Sequence, residues 1–78
     1  MTQQTETVTV YTRPSCVQCT QTIRRLARAG IDPQVIDVTE DLAAYSHITE
    51  TLGYRQAPVV EVGDRHWSGF RPDLIAGL

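Results

Sequence analysis

A strand-like run breaks at Arg13-Pro14-Ser15 and passes at once into a helical pattern headed by two cysteines, Cys16 and Cys19. No other feature restricts the fold as much. Val8-Thr9-Val10-Tyr11 has the β-branched and aromatic content of a strand, and Pro14 discourages helix before the cysteines. From Cys16 to about Ala29, the positions Ile23, Leu26, Ala27 and Gly30 recur at helical spacing, while Gln21, Arg24, Arg25 and Arg28 lie elsewhere on the cylinder as a solvated face. Gly30 is placed to cap that helix. Gln34-Val35-Ile36-Asp37-Val38 then reads as a second strand. A strand, crossover helix and strand of this length make the two strands parallel with a right-handed connection.

The polar cluster Thr39-Glu40-Asp41 can cap and charge the start of another helix. That helix is expected to reach about Leu52, with Leu42, Tyr45, Ile48, Thr49 and Leu52 on one face and Gly53 as its stop. Ala57 to Val62 is a third strand and Arg65 to Ser68 a fourth, joined through a two-residue hairpin turn at Gly63-Asp64. A short last helix begins near Pro72, whose fixed φ suits the first helical position, and runs toward Leu78. The order β-α-β-α-β-β-α predicts an α/β protein of the thioredoxin/glutaredoxin-like fold, a four-stranded mixed sheet flanked by three helices. With 78 residues there is room for one core only. Residues 1–6 are expected to form a flexible leader and residues 7–78 a single domain.

Composition removes several function classes. The net charge is −2 and the pI near 5.5, with all seven basic residues Arg, so neither nucleic acid nor an anionic membrane is an expected partner. No apolar run approaches the roughly 18 residues of a membrane span, and Thr2-Gln3-Gln4-Thr5-Glu6 is not a signal peptide. A cytoplasmic monomer is the expectation. In a reducing cytosol a cysteine pair binds metal or cycles catalytically. The ring that C-x-x-C closes is too small to remove much entropy from the unfolded chain, which argues against a structural staple.

As a redox pair, the two cysteines have distinct parts. A thiolate is the attacking species, and Cys16 stands where free helix N–H groups and the positive end of the helix dipole favour a negative sulfur. Arg13 is a nearby cation. Cys19 lies almost one turn later on the same side of the helix. The expected cycle has Cys16 attack a partner's disulfide and Cys19 then resolve the mixed disulfide, leaving a 16–19 disulfide for a reductase to open. Zinc is the competing chemistry. It needs four ligands, and only His47 and His66 could complete the set, far apart and without a knuckle-like spacing. No metal site is predicted, and each histidine reads as a solvated or packed side chain.

Cys16-Val17-Gln18-Cys19 after Val10-Tyr11-Thr12-Arg13-Pro14, with Ala57-Pro58-Val59-Val60 and Trp67-Ser68-Gly69-Phe70-Arg71-Pro72-Asp73 further on, resembles the NrdH-redoxins. These are small glutaredoxin-like proteins that behave functionally as thioredoxins. The resemblance covers about residues 7 to 78. It implies a hydrogen donor for class Ib ribonucleotide reductase, meeting that enzyme's large subunit, and a dithiol restored by NADPH-dependent thioredoxin reductase, with no bound cofactor beyond the reversible Cys16–Cys19 disulfide. It implies a cis Ala57-Pro58 bond facing the cysteines, with the backbone of Ala57 free to pair with an extended substrate segment. Arg13, Val17, Gln18, Ala57, Pro58 and the Trp67-Ser68-Gly69-Phe70-Arg71 stretch are then the expected partner contacts. For some of these a second reading stays open. Trp67 and Phe70 serve equally as cover for the core, and Arg71 with Asp73 reads rather as a local clasp on the loop than as a partner contact.

Departures from two relatives bear on the electron source. Glutaredoxins usually carry an acid before the last helix that grips the amino end of glutathione, whereas this chain has Arg71 and Pro72 there. A cation facing an ammonium is repulsive. Thioredoxins usually carry a buried Asp six residues before the first cysteine, thought to help deprotonate the second. Val10 occupies that place here, leaving the deprotonation of Cys19 unexplained. The alternatives are a glutaredoxin fed by glutathione or another small thiol, and a non-enzymatic zinc-binding or protein-interaction module.

Overall fold

The computed structural model describes residues 7–78; the expected leader, residues 1–6, lies outside the described residues. Four strands form one sheet in the order β2-β1-β3-β4. β1 (Val8–Thr12) pairs parallel with β2 (Gln34–Asp37) and antiparallel with β3 (Val59–Val62), which pairs antiparallel with β4 (Arg65–Ser68). This is the predicted mixed sheet. The parallel pair comes from the crossover through α1 (Val17–Arg28), the antiparallel β3–β4 pair comes from the Gly63-Asp64 turn, and the antiparallel β1–β3 pair joins the two halves. β3 begins two residues later than the sequence suggests, at Val59, because Pro58 has no N–H to give a ladder.

The period of two along each strand splits the core between the faces of the sheet. Val8 and Val10 of β1 join Val60, Val62 and Trp67 on one face, under Leu26 of α1 and Ile75 of α3 (Pro72–Ala76). Tyr11 and Val59 point the other way, against Ala44 and Ile48. Leu26 and Ile75 are almost wholly removed from water, worth roughly 1.5–3 kcal/mol each in transfer terms.

Helix α1 ends as its sequence predicts. Gly30 takes a φ of +81°, the Ile31 N–H reaches back to the Leu26 carbonyl at 2.9 Å, and the Gly30 N–H bonds the Ala27 carbonyl at 3.0 Å. That pair of bonds is the Schellman closure, which needs the left-handed residue glycine supplies without steric cost.

The second helix departs from expectation in form and in facing. Its α-helical part, α2 (Leu42–Ser46), starts on Asp41, whose side chain accepts from the Ala44 N–H at 3.0 Å. It then widens into a π-helical turn over His47–Thr51, with the Leu52 N–H bonded to the His47 carbonyl five residues back. Ala44 and Ile48 are buried, whereas Leu42 and Tyr45 are 82% and 51% exposed. The face that reads as apolar in sequence is therefore only partly the core face. Ala44, Ile48 and Leu52 recur every four residues and meet the sheet; Leu42 and Tyr45 sit one position around the cylinder.

Among the described residues no helix is long and apolar enough to cross a membrane.

Candidate functional site

The cysteines stand at the junction of β1 and α1. The link from Thr12 turns at Ser15, which holds a φ of +59°, a conformation costing a non-glycine residue about 1–2 kcal/mol. Cys16 is the N-cap of α1, in extended backbone, and its Sγ accepts from the Cys19 N–H at 3.1 Å. A cap normally offers an oxygen to the orphan N–H groups of the first turn. Here a sulfur fills that place, so the helix terminus points a donor at the redox atom.

Cys16 and Cys19 are joined as a disulfide, with Cα atoms 5.2 Å apart. Their surroundings differ. Cys16 is half-buried and Cys19 is 2% exposed, on the helix face that also buries Thr22 and Leu26. Arg13, Ser15, Val17 and Ile23 help line the shallow depression around both sulfurs. Val17 is 72% exposed, an apolar side chain directly beside Cys16.

Arg13 also borders a second groove, formed by Val38, Leu42, Tyr45, Ile48 and Ala57, and so links the cysteines to the Ala57-Pro58 segment. The Ala57-Pro58 bond is cis, as the resemblance implies. Pro58 is buried, and among the described residues Ala57 makes no backbone hydrogen bond. The Pro58 carbonyl accepts from the Gly69 N–H at 2.9 Å, and Gln56 Nε2 donates to Ser68 Oγ at 3.2 Å. These two bonds fasten the proline segment to the Ser68-Gly69 loop. Gly69 has a φ of +84°, and a Cβ there would meet Gln18 Oε1 at 3.7 Å, so its backbone conformation rather than crowding favours glycine.

Gln18 was expected to touch a partner. Its Oε1 instead accepts from the Phe70 N–H at 3.1 Å, tying the cysteine turn to the loop before α3. Nothing in the sequence signals this bond, which joins residues 52 positions apart. Trp67 corrects the expectation for the same stretch. It is only 8% exposed and belongs to the core between β4, α1 and α3, because alternation on β4 turns it inward; its indole is not a free contact surface. Phe70 packs partly against the same core. Arg71 donates two bonds to Asp73, at 3.2 and 3.0 Å, and this fork holds the Asp73 carboxyl below the usual carboxylate range while raising the guanidinium. The local-clasp reading of Arg71 is the one the geometry supports.

His47 and His66, the other conceivable metal ligands, lie elsewhere. His47 Nε2 donates to Glu61 Oε1 at 2.9 Å, and the Tyr11 hydroxyl donates to the same oxygen at 2.9 Å. Burial, the Glu61 bond and the neighbouring carboxylate charges push the Tyr11 phenol up to about 12. His66 Nδ1 shares a 2.9 Å bond with the Tyr54 hydroxyl. Among the described residues no group of three or more His, Cys, Asp or Glu side chains is arranged to hold a metal ion.

The sequence of residues 8–67 matches the Glutaredoxin family. Over 71 residues, 91% of this chain and 86% of the other, it is 44% identical to the glutaredoxin-like protein NrdH of Escherichia coli strain K12. The chain belongs to the NrdH-redoxins of the glutaredoxin family. A Lactococcus lactis glutaredoxin-like protein NrdH is 35% identical over 71 residues, 91% of this chain and 97% of that one. The fold agrees as well. The solved structure of the E. coli NrdH-redoxin, described as a glutaredoxin-like protein with a thioredoxin-like activity profile, superposes with a TM-score of 0.84 at 45% identity, covering 91% of this chain and 92% of that one. This redoxin is accordingly a thiol-disulfide oxidoreductase with a thioredoxin-like fold, and its redox group is the Cys16–Cys19 disulfide.

Proposed function

We propose that the reduced protein donates two electrons to class Ib ribonucleotide reductase and that NADPH-dependent thioredoxin reductase, rather than glutathione, restores the dithiol, in a reducing cytoplasm. Cys16 is the nucleophile and Cys19 the resolving thiol. Their unequal exposure supports this division, since the sulfur that meets a partner must be reachable and the one that displaces it need not be.

The observation that carries the protein-partner reading is the Ala57 backbone, without a backbone partner beside the groove that Arg13 shares with the cysteines. An extended segment carrying the target disulfide would pair there as an added strand, oriented by main-chain bonds with little demand on sequence. Leu42 and Tyr45 offer apolar contact along the same groove. Glutathione is a poorer fit. Arg71 and Pro72 stand where an acid would grip an ammonium, and the nearby Asp73, in the first turn of α3, is held by Arg71. The choice of ribonucleotide reductase rests on the resemblance to the NrdH proteins.

The test follows NADPH oxidation with a disulfide-bonded protein substrate, comparing thioredoxin reductase with glutathione plus glutathione reductase. Turnover is expected with thioredoxin reductase. Turnover confined to the glutathione system would overturn the proposal.

A further inference from the structure

Val10 occupies the place where thioredoxins carry a buried acid, so another group must serve the Cys19 sulfur. Thr22 is the candidate the structure offers. It is 0% exposed, and in the disulfide form its hydroxyl has no hydrogen-bond partner among the described residues. A threonine inside a helix ordinarily gives its hydroxyl to the carbonyl four residues back. Thr20 does so to Cys16 at 3.4 Å and Thr49 to Tyr45 at 2.8 Å, but Thr22 does not. An unpaired buried hydroxyl is costly enough to need an explanation.

The helix supplies one. Cys19 and Thr22 are three residues apart on the buried face of α1, a spacing that makes side chains neighbours, and helical side chains lean toward the N-terminus. The Thr22 side chain therefore leans toward the turn that carries Cys19. In the disulfide, the Cys19 sulfur is bonded to Cys16 and makes no hydrogen bond with the Thr22 hydroxyl. We propose that the Thr22 hydroxyl donates a hydrogen bond to the Cys19 sulfur once the disulfide opens, and so supports Cys19 as the resolving thiolate.

Two other donors lie in this region: the Thr12 hydroxyl, which lines the same depression as both cysteines and donates to the Arg13 carbonyl at 3.3 Å, and the Trp67 indole N–H, without a partner among the described residues in the core under α1. The other groups that face α1 are apolar. β1 turns Val8 and Val10 toward α1, β3 turns Val60 and Val62, and α3 turns Ile75, all uncharged. His47 and Tyr11 are both bonded to Glu61, and Tyr11 packs on the opposite face. Arg71 and Asp73 are paired in solvent. Arg13 remains as the exposed cation on the rim.

The step assisted is the second half of the cycle, and the inference rests on the reading of Cys19 as the resolving thiol. Cys19 loses its proton to solvent and its thiolate attacks Cys16 Sγ. The 16–19 bond forms as the Cys16–partner bond breaks. The electron pair leaves on the partner's sulfur, which takes up a proton, so the partner is reduced and the dithiol oxidised by two electrons.

The test mixes reduced protein with the aromatic disulfide dithiobis(nitrobenzoate), which releases one coloured thiolate when Cys16 attacks and a second when Cys19 resolves. Thr22→Val is expected to slow the second phase about tenfold at neutral pH, as for a lost bond to a charged group, and to move its pH midpoint upward with the first phase unchanged. Thr22→Ser should restore the second phase. At a fixed ratio of reduced to oxidised dithiothreitol, Thr22→Val should also hold more of the protein as disulfide. A folded Thr22→Val with an unchanged second phase, or both phases slowed equally, overturns the inference. Absence of a second phase in the unaltered protein would instead overturn the resolving role of Cys19. If Thr22→Val fails to fold, Thr22→Ala read the same way decides the matter.

Discussion

Cys16 caps a helix with its sulfur and Cys19 lies beneath it, and this asymmetry sets the expected mutant behaviour. Cys16→Ser should abolish electron transfer to a protein disulfide. In Cys19→Ser, Cys16 should still attack a partner's disulfide but not be released from it, so mixed disulfides should accumulate on a non-reducing gel; full turnover by Cys19→Ser would contradict a dithiol mechanism. Gln18→Ala removes the acceptor of the Phe70 N–H. A loss of about 0.5–1.5 kcal/mol is expected, with faster hydrogen exchange at the Phe70 amide as the measurement. The cysteines were legible in sequence because thiols at a strand-to-helix junction carry their chemistry in residue type and spacing. The parts of Gln18 and Trp67 were not. A glutamine in a tight turn has the same composition whether it faces a partner or a distant loop, and an indole near a strand end turns inward or outward by one residue of register.

At the level of elements, α1 and its glycine closure were readable because 12 residues give a periodic pattern enough turns to define a face. α2 is too short for that. With five α-helical residues followed by a five-residue π turn, a 3.6-residue pattern assigns Leu42 and Tyr45 to a core they do not enter. The cap was nonetheless visible as Asp41. Asp41→Ala should cost about 1 kcal/mol, within the usual 0.5–2 for an N-cap, seen as a lower midpoint in urea with unchanged slope. Between α2 and the sheet, Glu61 holds Tyr11 and His47 together. Tyr11 ionises near pH 12 when folded against about 10 when unfolded, so the folded state keeps a proton that the unfolded state has lost. Stability is therefore expected to fall as pH rises from about 10 to about 12. Glu61→Gln should bring the Tyr11 ultraviolet titration down toward the ordinary phenol value of 10.0; an unmoved titration would leave burial as the whole cause.

For the molecule as a whole, the order of elements was enough to specify two of the three strand pairings, since a crossover fixes one parallel pair and a hairpin one antiparallel pair; the antiparallel β1–β3 pairing that joins them is long-range. The sheet holds two cores apart, and the dithiol belongs to the α1 and α3 side. Leu26, fully buried in that core, should cost about 2–5 kcal/mol as Leu26→Ala, read from denaturant unfolding. What the sequence left unresolved at this scale is how the cysteine turn, the proline segment and the loop before α3 meet; those contacts are hydrogen bonds of backbone and amide groups that any sequence possesses. On the proposed reading, together they receive a polypeptide rather than a tripeptide. The direct measurement is deoxyribonucleotide formation by a class Ib ribonucleotide reductase supplied with NADPH, thioredoxin reductase and this redoxin. Sustained turnover is expected with the unaltered protein and none with Cys16→Ser. Turnover only when glutathione and glutathione reductase replace thioredoxin reductase, or equal turnover with Cys16→Ser, would contradict it.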